Sequence, residues 1–178
     1  MSSSSSASDR AENIKLIAFD VDGVLTNGEL IFSSGLGEIK TFHAHDGLGL
    51  KLLKSSGCEV AIVSSRASNI VSERFKELGI IEIHQNQYNK GETLRILMNK
   101  YDLKRSNVAF AGDDLPDISA MELSGFAIAV ANAHPLVRQQ ADWITTKQGG
   151  NGAAREICDL ILTAQGNMGE ALNGFSGR

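Results

Sequence analysis

Short runs of apolar residues recur along the chain and alternate with longer segments in which apolar and polar positions mix at helical spacing. The short runs are typical of strands buried on both faces, and the mixed segments are typical of helices that cover a sheet. The predicted strands are 15–20, 59–63, 80–83, 107–111, 127–130 and 143–145. The predicted helices are 47–55, 68–78, 90–101, 116–123, 135–140 and 152–164. This alternation predicts an α/β fold with a mainly parallel sheet flanked by helices.

One segment interrupts the alternation directly after the first strand. Residues 29–32 and 38–43 are β-prone and flank a Ser/Gly-rich turn at 33–37, which predicts a β-hairpin. We expect this hairpin to form a small flap, at about residues 29–43, over the carboxyl end of the first strand. No other insertion is long enough for a separate cap, so the predicted domain is cap-less.

Length and composition narrow the class of protein. The 178 residues predict one domain over 13–166, after a disordered serine-rich tail at 1–12 and before a flexible glycine-rich tail at 167–178. The net charge of -4 argues against nucleic-acid binding. No apolar stretch approaches the ~20 residues that a membrane span needs. Cys58 and Cys158 lack metal-ligand spacing and predict two reduced thiols in a cytoplasmic protein.

Polar residues with complementary chemistry follow the predicted strands. Asp20 and Asp22 end the first strand and start on one face of it; Ser64 ends the second, Lys90 opens a helix, and Asp113 ends a later strand. The carboxyl ends of parallel strands share one edge of a sheet, where ligands bind. Neighbouring carboxylates repel unless a cation lies between them, and Mg²⁺ prefers carboxylate, carbonyl and phosphate oxygens. We therefore predict a pocket for a phosphate group and Mg²⁺, with Asp20, Asp113 and the Asp22 carbonyl as ligands.

Each of these residues also has an ordinary structural interpretation. Ser64 alone fits a helix N-cap, and Lys90 alone fits a surface lysine. Asp114 and Asp117 each have two interpretations, either as metal ligands or as groups that hold the metal ligands in place. Arg74, on an amphipathic helix, fits a solvated cation as well as a substrate contact. The occurrence of four motifs together favours the functional interpretation of the set.

At these positions the chain resembles the haloacid dehalogenase (HAD) superfamily of phosphatases. The resemblance covers residues 15 to about 117 and is carried by Asp-Val-Asp-Gly-Val-Leu-Thr near the N-terminus and Gly-Asp-Asp-x-x-Asp near the fourth predicted strand. It implies a Rossmann-like fold, Mg²⁺ as cofactor, Asp20 as the nucleophile that forms an aspartyl-phosphate, and Asp22 as general acid and base. It also implies that Ser64 and Lys90 hold the transferring phosphoryl group. Asp20, Asp22 and Asp113 are the implied metal ligands.

Three further segments, 42–49, 129–135 and 149–160, extend the resemblance over almost the whole chain, to the subfamily of 3-deoxy-D-manno-octulosonate 8-phosphate (KDO 8-phosphate) phosphatases. This implies hydrolysis of a phosphorylated sugar acid in lipopolysaccharide precursor synthesis. It also implies a homotetramer, in which a neighbour's hairpin helps to close each site. The substrate contacts implied by the resemblance are Asp22, His43, Ala44, His45, Asp46, Gly47, Lys51, Arg66, Arg74 and Lys90.

The chain departs from the subfamily pattern at three places. His45 stands where Arg or Lys is common, Asn151 where Arg is frequent, and Ser64-Ser65 where Thr-Gly is frequent. Cations recognise carboxylates through charge-assisted hydrogen bonds, so the first two departures bear on which sugar acid is bound. A phosphatase for a nine-carbon sialic-acid-type sugar phosphate therefore remains an alternative. A non-catalytic oligomerisation module of sugar-nucleotide synthesis is a second alternative, of another class.

Overall fold

The structure, a computed structural model, describes residues 6–35, 37–173 and 175. Its strands are Leu16–Phe19 (β1), Ile31–Ser33 (β2), Gly37–Ile39 (β3), Glu59–Val63 (β4), Glu82–His84 (β5), Val108–Gly112 (β6), Phe126–Ala129 (β7) and Trp143–Ile144 (β8). Its α-helices are Ala7–Ala11 (α1), Ala44–Ser55 (α2), Asn69–Glu77 (α3), Lys90–Lys100 (α4), Ile118–Leu123 (α5), Pro135–Gln140 (α6), Ala153–Ala164 (α7) and Met168–Asn173 (α8). Single 3-10 turns at Arg105–Asn107 and Leu115–Asp117 precede β6 and α5.

Six strands form one sheet in the order β5-β4-β1-β6-β7-β8, and every neighbouring pair is parallel. β1, β6 and β7 are buried along their whole length, as expected for strands covered on both faces. The prediction of a mainly parallel α/β sheet is therefore confirmed. β1 lies between β4 and β6, so the strands that follow β1 are added first on one side of it and later on the other. At such a reversal of strand order, a crevice opens at the carboxyl ends of the strands.

Helices flank the sheet in two groups. α1 and α2 pack against α7, and α4 packs against α5. The core between helices and sheet contains Phe19, Phe75, Phe110 and Phe126, all fully buried. Each such side chain contributes roughly 2 to 3 kcal/mol by burial, and together they hold the strand ends in fixed relative positions. Among the described residues, every helix is too short or too polar to traverse a bilayer.

The segment after β1 forms the predicted hairpin. β2 and β3 pair antiparallel with Ile31 opposite Ile39, outside the main sheet. We call this hairpin, together with Leu30 and Lys40, the flap. Leu30, Ile31, Phe32 and Ile39 are 47%, 42%, 66% and 36% exposed. Two strands alone are marginally stable in water, so the flap depends on contacts with the rest of the protein.

The prediction of a disordered tail over residues 1–12 is wrong for the residues that form α1. Ser6 caps this helix, Ala11 is wholly buried, and Arg10 forms an ion pair of 3.2 Å with Asp142. A five-residue helix is unstable alone, and these contacts with distant parts of the chain hold it. The first five residues lie outside the described part of the chain.

The predicted flexible C-terminal tail, 167–178, also contains a helix. The Asn167 N–H donates to the Leu162 carbonyl at 2.8 Å, which reverses the chain after α7, and α8 follows. Met168 packs against the core, so the start of this tail belongs to the folded domain. Residues 174 and 176–178 lie outside the described part of the chain.

The starts of α2 and β5 are among the other boundaries that differ from the prediction. α2 begins three residues earlier than predicted. His43 was predicted in the return strand of the flap, but it is the N-cap of α2, because its Nδ1 accepts a hydrogen bond from the His45 N–H at 3.3 Å. β5 begins two residues late because Ile80 belongs to the turn after α3, with its N–H bonded to the Phe75 carbonyl, and Ile81 is 73% exposed.

Candidate active site

A pocket of about 300 Å³ opens where β1, β4 and β6 end. Its lining includes the five residues from which the sequence predicted a phosphate and Mg²⁺ site: Asp20, Asp22, Ser64, Lys90 and Asp113. The remaining lining residues are Gly28, Ser65, Arg66, Asp114, Pro116 and Asp117. The parallel sheet therefore brings together side chains that lie up to 97 positions apart in the chain.

Lys90, the first residue of α4, is buried rather than on the surface. Its Nζ lies 2.6 Å from Asp20 Oδ1 and 2.5 Å from Asp117 Oδ1. Burial lowers the pKa of Lys90, but the two carboxylates outweigh it and raise the pKa above its ordinary value. The interpretation as a surface lysine is wrong, and the ammonium is a permanent positive charge beside Asp20.

Asp20, Asp113 and Asp117 can present carboxylate oxygens that all lie within 4.8 Å of one another. Burial, with repulsion from Asp117, raises the pKa of Asp20 to about 7; burial, with repulsion from Asp20 and Asp117, raises the pKa of Asp113 to about 8. With all three ionised, the cluster and Lys90 carry a net charge of -2, which a divalent cation would neutralise. Asp113 Oδ1 is buried and has no hydrogen-bond partner among the residues that the structure describes. This oxygen-only donor set fits Mg²⁺.

Asp117 supports the site through both of its oxygens. Oδ1 accepts from Lys90, and Oδ2 accepts from the backbone N–H groups of Asp113 at 2.9 Å and Asp114 at 3.2 Å. Asp117 therefore holds both the loop after β6 and the ammonium of Lys90 in position. Asp114 is exposed and caps the following 3-10 turn, with its side chain bonded to the Leu115 N–H. The spacing Gly-Asp-Asp-x-x-Asp was the signal that could have placed Asp117 among the site residues.

Ser64 is buried at the end of β4, in the pocket lining. Its Oγ accepts a hydrogen bond of 3.2 Å from the Arg66 N–H, which closes a tight turn. The N-cap of α3 is Ser68, so the interpretation of Ser64 as a helix cap is wrong. The Ser64 hydroxyl hydrogen remains available to a phosphate oxygen in the pocket.

The flap lies against Asp22 of the same chain. Asp22 Oδ1 accepts a hydrogen bond from Lys40 Nζ, and Oδ2 lies 3.6 Å from Arg66 Nε. Arg66 also donates to Glu38 Oε1 at 2.9 Å and stands 5.9 Å above the Phe32 ring. Arg66 was predicted as a site residue, whereas Glu38 and Lys40 were not, because their proximity to Asp22 depends on how the hairpin folds back.

The glycine motif at 149–152 supports the turn after β1. The Gly149 N–H donates to Asn132 Oδ1 at 2.9 Å. A Cβ on Gly149 would lie 1.6 Å from the carbonyl oxygen of Gly23, so only glycine fits this contact. Gly23 itself has φ of 105°, a conformation that a side chain would strain. The motif thereby holds in place the backbone that carries Asp22.

The other predicted substrate contacts do not line this pocket; they are His43, Ala44, His45, Asp46, Gly47, Lys51 and Arg74. Asp46 is buried and accepts hydrogen bonds from the N–H groups of Arg155 at 2.8 Å and Gly152 at 3.3 Å. Its carboxylate therefore joins α2 to the start of α7. Arg74 forms an ion pair of 3.2 Å with Glu77 and packs on Gly47.

His43 and His45 line a second cavity of about 470 Å³, together with Asn151 and Arg155. Their rings contact edge to face, with centroids 4.9 Å apart. Ala44 and Lys51 are exposed on α2. Two of the three departures from the subfamily pattern, His45 and Asn151, thus lie together but apart from the carboxylate pocket, whereas the third, Ser64-Ser65, lines that pocket.

Comparison with known proteins extends these observations. Residues 76–157 match a model of the haloacid dehalogenase-like hydrolases. The KDO 8-phosphate phosphatases KdsC of Salmonella typhi and of Escherichia coli K12 are each 44% identical over 162 residues, which cover 91% of this chain and 86% of theirs. The crystal structure of the Moraxella catarrhalis KDO 8-phosphate phosphatase, in complex with magnesium, phosphate and KDO, is 46% identical. It superposes with a TM-score of 0.93 and covers 96% of this chain and 98% of its own.

Sequence identity and structural likeness of this extent cover more than nine-tenths of the chain. The chain belongs to the KdsC family of KDO 8-phosphate phosphatases, within the haloacid dehalogenase-like hydrolases.

Proposed function

We propose that this protein is a Mg²⁺-dependent phosphatase that hydrolyses KDO 8-phosphate to KDO and inorganic phosphate, in lipopolysaccharide precursor synthesis. The observation that carries the proposal is the buried group of Asp20, Lys90, Asp113 and Asp117 at the carboxyl edge of the sheet. It combines a candidate nucleophile, a fixed ammonium and a set of metal ligands in one pocket. The relative with magnesium, phosphate and KDO bound has the same fold, which supports this choice of substrate.

In the first chemical step an Asp20 carboxylate oxygen attacks the phosphorus of the substrate. The bond from phosphorus to the sugar oxygen breaks, and Asp22 gives its proton to that oxygen. Lys90, together with the Ser64 hydroxyl, binds the phosphoryl oxygens. Asp20, Asp113 and the carbonyl of Asp22 would hold Mg²⁺, which allows an anionic carboxylate to approach an anionic phosphate.

In the second step Asp22 takes a proton from a water molecule. The water oxygen attacks the phosphorus of the aspartyl-phosphate, the bond from phosphorus to Asp20 breaks, and inorganic phosphate leaves. Asp22 finishes the cycle protonated, ready for the next substrate. Lys90 neutralises the carboxylate of Asp20 as it leaves, since its Nζ lies 2.6 Å from Oδ1.

The proposal includes a homotetramer in the cytoplasm. Phe32 and its apolar neighbours on the flap are exposed, and burial against a second copy would remove them from water. Cys58 and Cys158 are both buried and free, which suits a reducing compartment. The residues implied to bind substrate on α2 and α3 would then contribute at the contact between copies.

Phosphate release with Mg²⁺ tests the proposal. The substrates are KDO 8-phosphate, a nine-carbon sugar-acid 9-phosphate and simple hexose phosphates. We expect a strong preference for KDO 8-phosphate, and loss of turnover in Asp20→Asn, which keeps the shape of the nucleophile but not its charge. Preference for the nine-carbon substrate would reassign the substrate and keep the chemistry. A well-folded wild type without phosphatase activity would favour the oligomerisation module instead.

A further inference from the structure

Lys40, directly after β3, is unusual because its side chain is only 2% exposed. Lysine is rarely buried unless its ammonium is paired. Its Nζ donates a hydrogen bond to Asp22 Oδ1 and lies 3.4 Å from Glu38 Oε1. The Lys40 side chain is therefore enclosed between the flap and Asp22 rather than solvated.

Asp22 depends on this contact for its orientation. Within the described part of the chain, Lys40 provides the one hydrogen bond to the Asp22 carboxylate, because Arg66 Nε lies 3.6 Å away and forms no hydrogen bond. The glycine-supported turn fixes the backbone of Asp22 but does not fix its side-chain torsions. With Oδ1 held by Lys40, Oδ2 is the oxygen that accepts no hydrogen bond from the described residues.

We propose that Lys40 is a positioning residue that holds Asp22 in the orientation needed for proton transfer to the leaving oxygen. This inference rests on the proposed function, in which Asp22 protonates the sugar oxygen. A general acid must lie within hydrogen-bond reach of the atom that it protonates, and a carboxylate free to rotate meets that condition less often. The flap therefore sets the geometry of the acid through Lys40.

Charge balance around Asp22 predicts a second effect of losing Lys40. Asp22 is protonated when it acts as the acid, so Glu38 carries one negative charge beside it, and Lys40 and Arg66 carry two positive charges. Without Lys40 one positive charge near the phosphate site is lost, which weakens the binding of any phosphate dianion. This loss falls equally on all phosphate esters, whereas the loss of proton transfer depends on the leaving group.

The experiment compares kcat/KM of Lys40→Met with that of the wild type on two substrates, with Mg²⁺ present. KDO 8-phosphate has a poor leaving group that needs a proton, whereas p-nitrophenyl phosphate leaves as a stable phenolate. We expect a loss of about 100-fold for KDO 8-phosphate and of less than about 10-fold for p-nitrophenyl phosphate. Lys40→Arg retains the positive charge and should recover much of the first loss. Lys76→Met, which removes an exposed lysine of α3, is the matched control.

Each outcome bears on the role of Lys40. Equal losses on the two substrates would overturn the proposal, because a flap that is merely misplaced impairs both reactions alike. Unchanged rates would overturn it as well. If Lys40→Met does not fold, Lys40→Gln provides the same comparison with a polar side chain. A folded wild type that releases phosphate from neither substrate would overturn the proposed function, and with it the role of Lys40.

Discussion

Replacing Glu82 with glutamine should lower the free energy of unfolding by about 2 to 3 kcal/mol at neutral pH. Glu82 opens β5, and its side chain is 6% exposed. It accepts from the Tyr101 hydroxyl at 2.7 Å, lies 2.9 Å from His84 Nε2 and pairs with Lys100. Glutamine has the same shape and can keep neutral hydrogen bonds there, so the substitution removes mainly the charge.

The magnitude follows from the pKa of Glu82. Burial raises it, but the hydrogen bonds from Lys100, Tyr101 and His84 outweigh burial and lower the pKa from 4.5 to about 2. At about 1.4 kcal/mol for each pKa unit, this corresponds to an upper limit of about 3.5 kcal/mol. The Lys100 side chain is 55% exposed, so water screens part of its attraction and the expected effect lies somewhat below that limit.

The sign of the pH dependence follows from the lowered pKa. The stabilisation is complete above the unfolded-state pKa of 4.5 and is lost as the pH falls toward about 2. Urea unfolding of wild type and Glu82→Gln, followed by circular dichroism from about pH 7 to about pH 2, measures this directly. The difference between the two proteins should shrink on acidification.

The matched control is Glu92→Gln, which breaks an ion pair with Arg95 whose side chains are 50% and 57% exposed. Its effect should stay below about 1 kcal/mol. A Glu82→Gln effect as small as that of the control would refute the reasoning, as would a difference that is independent of pH. The result also bears on the site, because Glu82 anchors the end of α4, the helix that begins with Lys90.

Three further predictions concern the pocket and the flap. Gly149→Ala forces a Cβ against the Gly23 carbonyl and should lower phosphate release, and it should lower the free energy of unfolding by about 1 to 3 kcal/mol. Gly169→Ala is the control, because the space around Gly169 is open and the substitution should not destabilise the protein. Urea unfolding and phosphate release compare the two variants. Mg²⁺ should raise the melting temperature of the wild type, and EDTA should reverse this shift. Asp113→Asn should abolish the shift. A wild-type melting temperature that does not change with Mg²⁺ would contradict the assigned ligands. Phe32→Ser should reduce the mass observed by analytical ultracentrifugation at low protein concentration, and an unchanged mass would argue against an interface on the flap.

Elements with local signals were predicted closely. β4 and α6 have the bounds expected from an apolar run and from a proline at the first helical position. α1 was missed because a five-residue helix has little intrinsic stability, and its contact with Asp142 comes from the far end of the sheet. β5 begins later than predicted because Ile80, which the apolar pattern assigns to a strand, belongs to the turn after α3.

Among the predicted site residues, too, some were placed correctly from the sequence and others were not. Asp20, Ser64 and Asp113 follow apolar runs, and a parallel sheet places the ends of such runs at one edge, so their proximity was predictable. The substrate contacts implied by resemblance on α2 and α3 lie outside that pocket, because the chain has left the strand ends by the time it reaches His43 and Arg74.

The sequence by itself determined the parallel sheet, the hairpin after its first strand and the set of acids, hydroxyl and ammonium at its edge. These follow from local periodicity and from residue types at strand ends. Only the tertiary structure decided that Lys40 holds Asp22, that Asp117 binds Lys90 and that Gly149 packs on Gly23. Such pairings join distant positions, so they depend on the path of the whole chain and leave no pattern in any one segment.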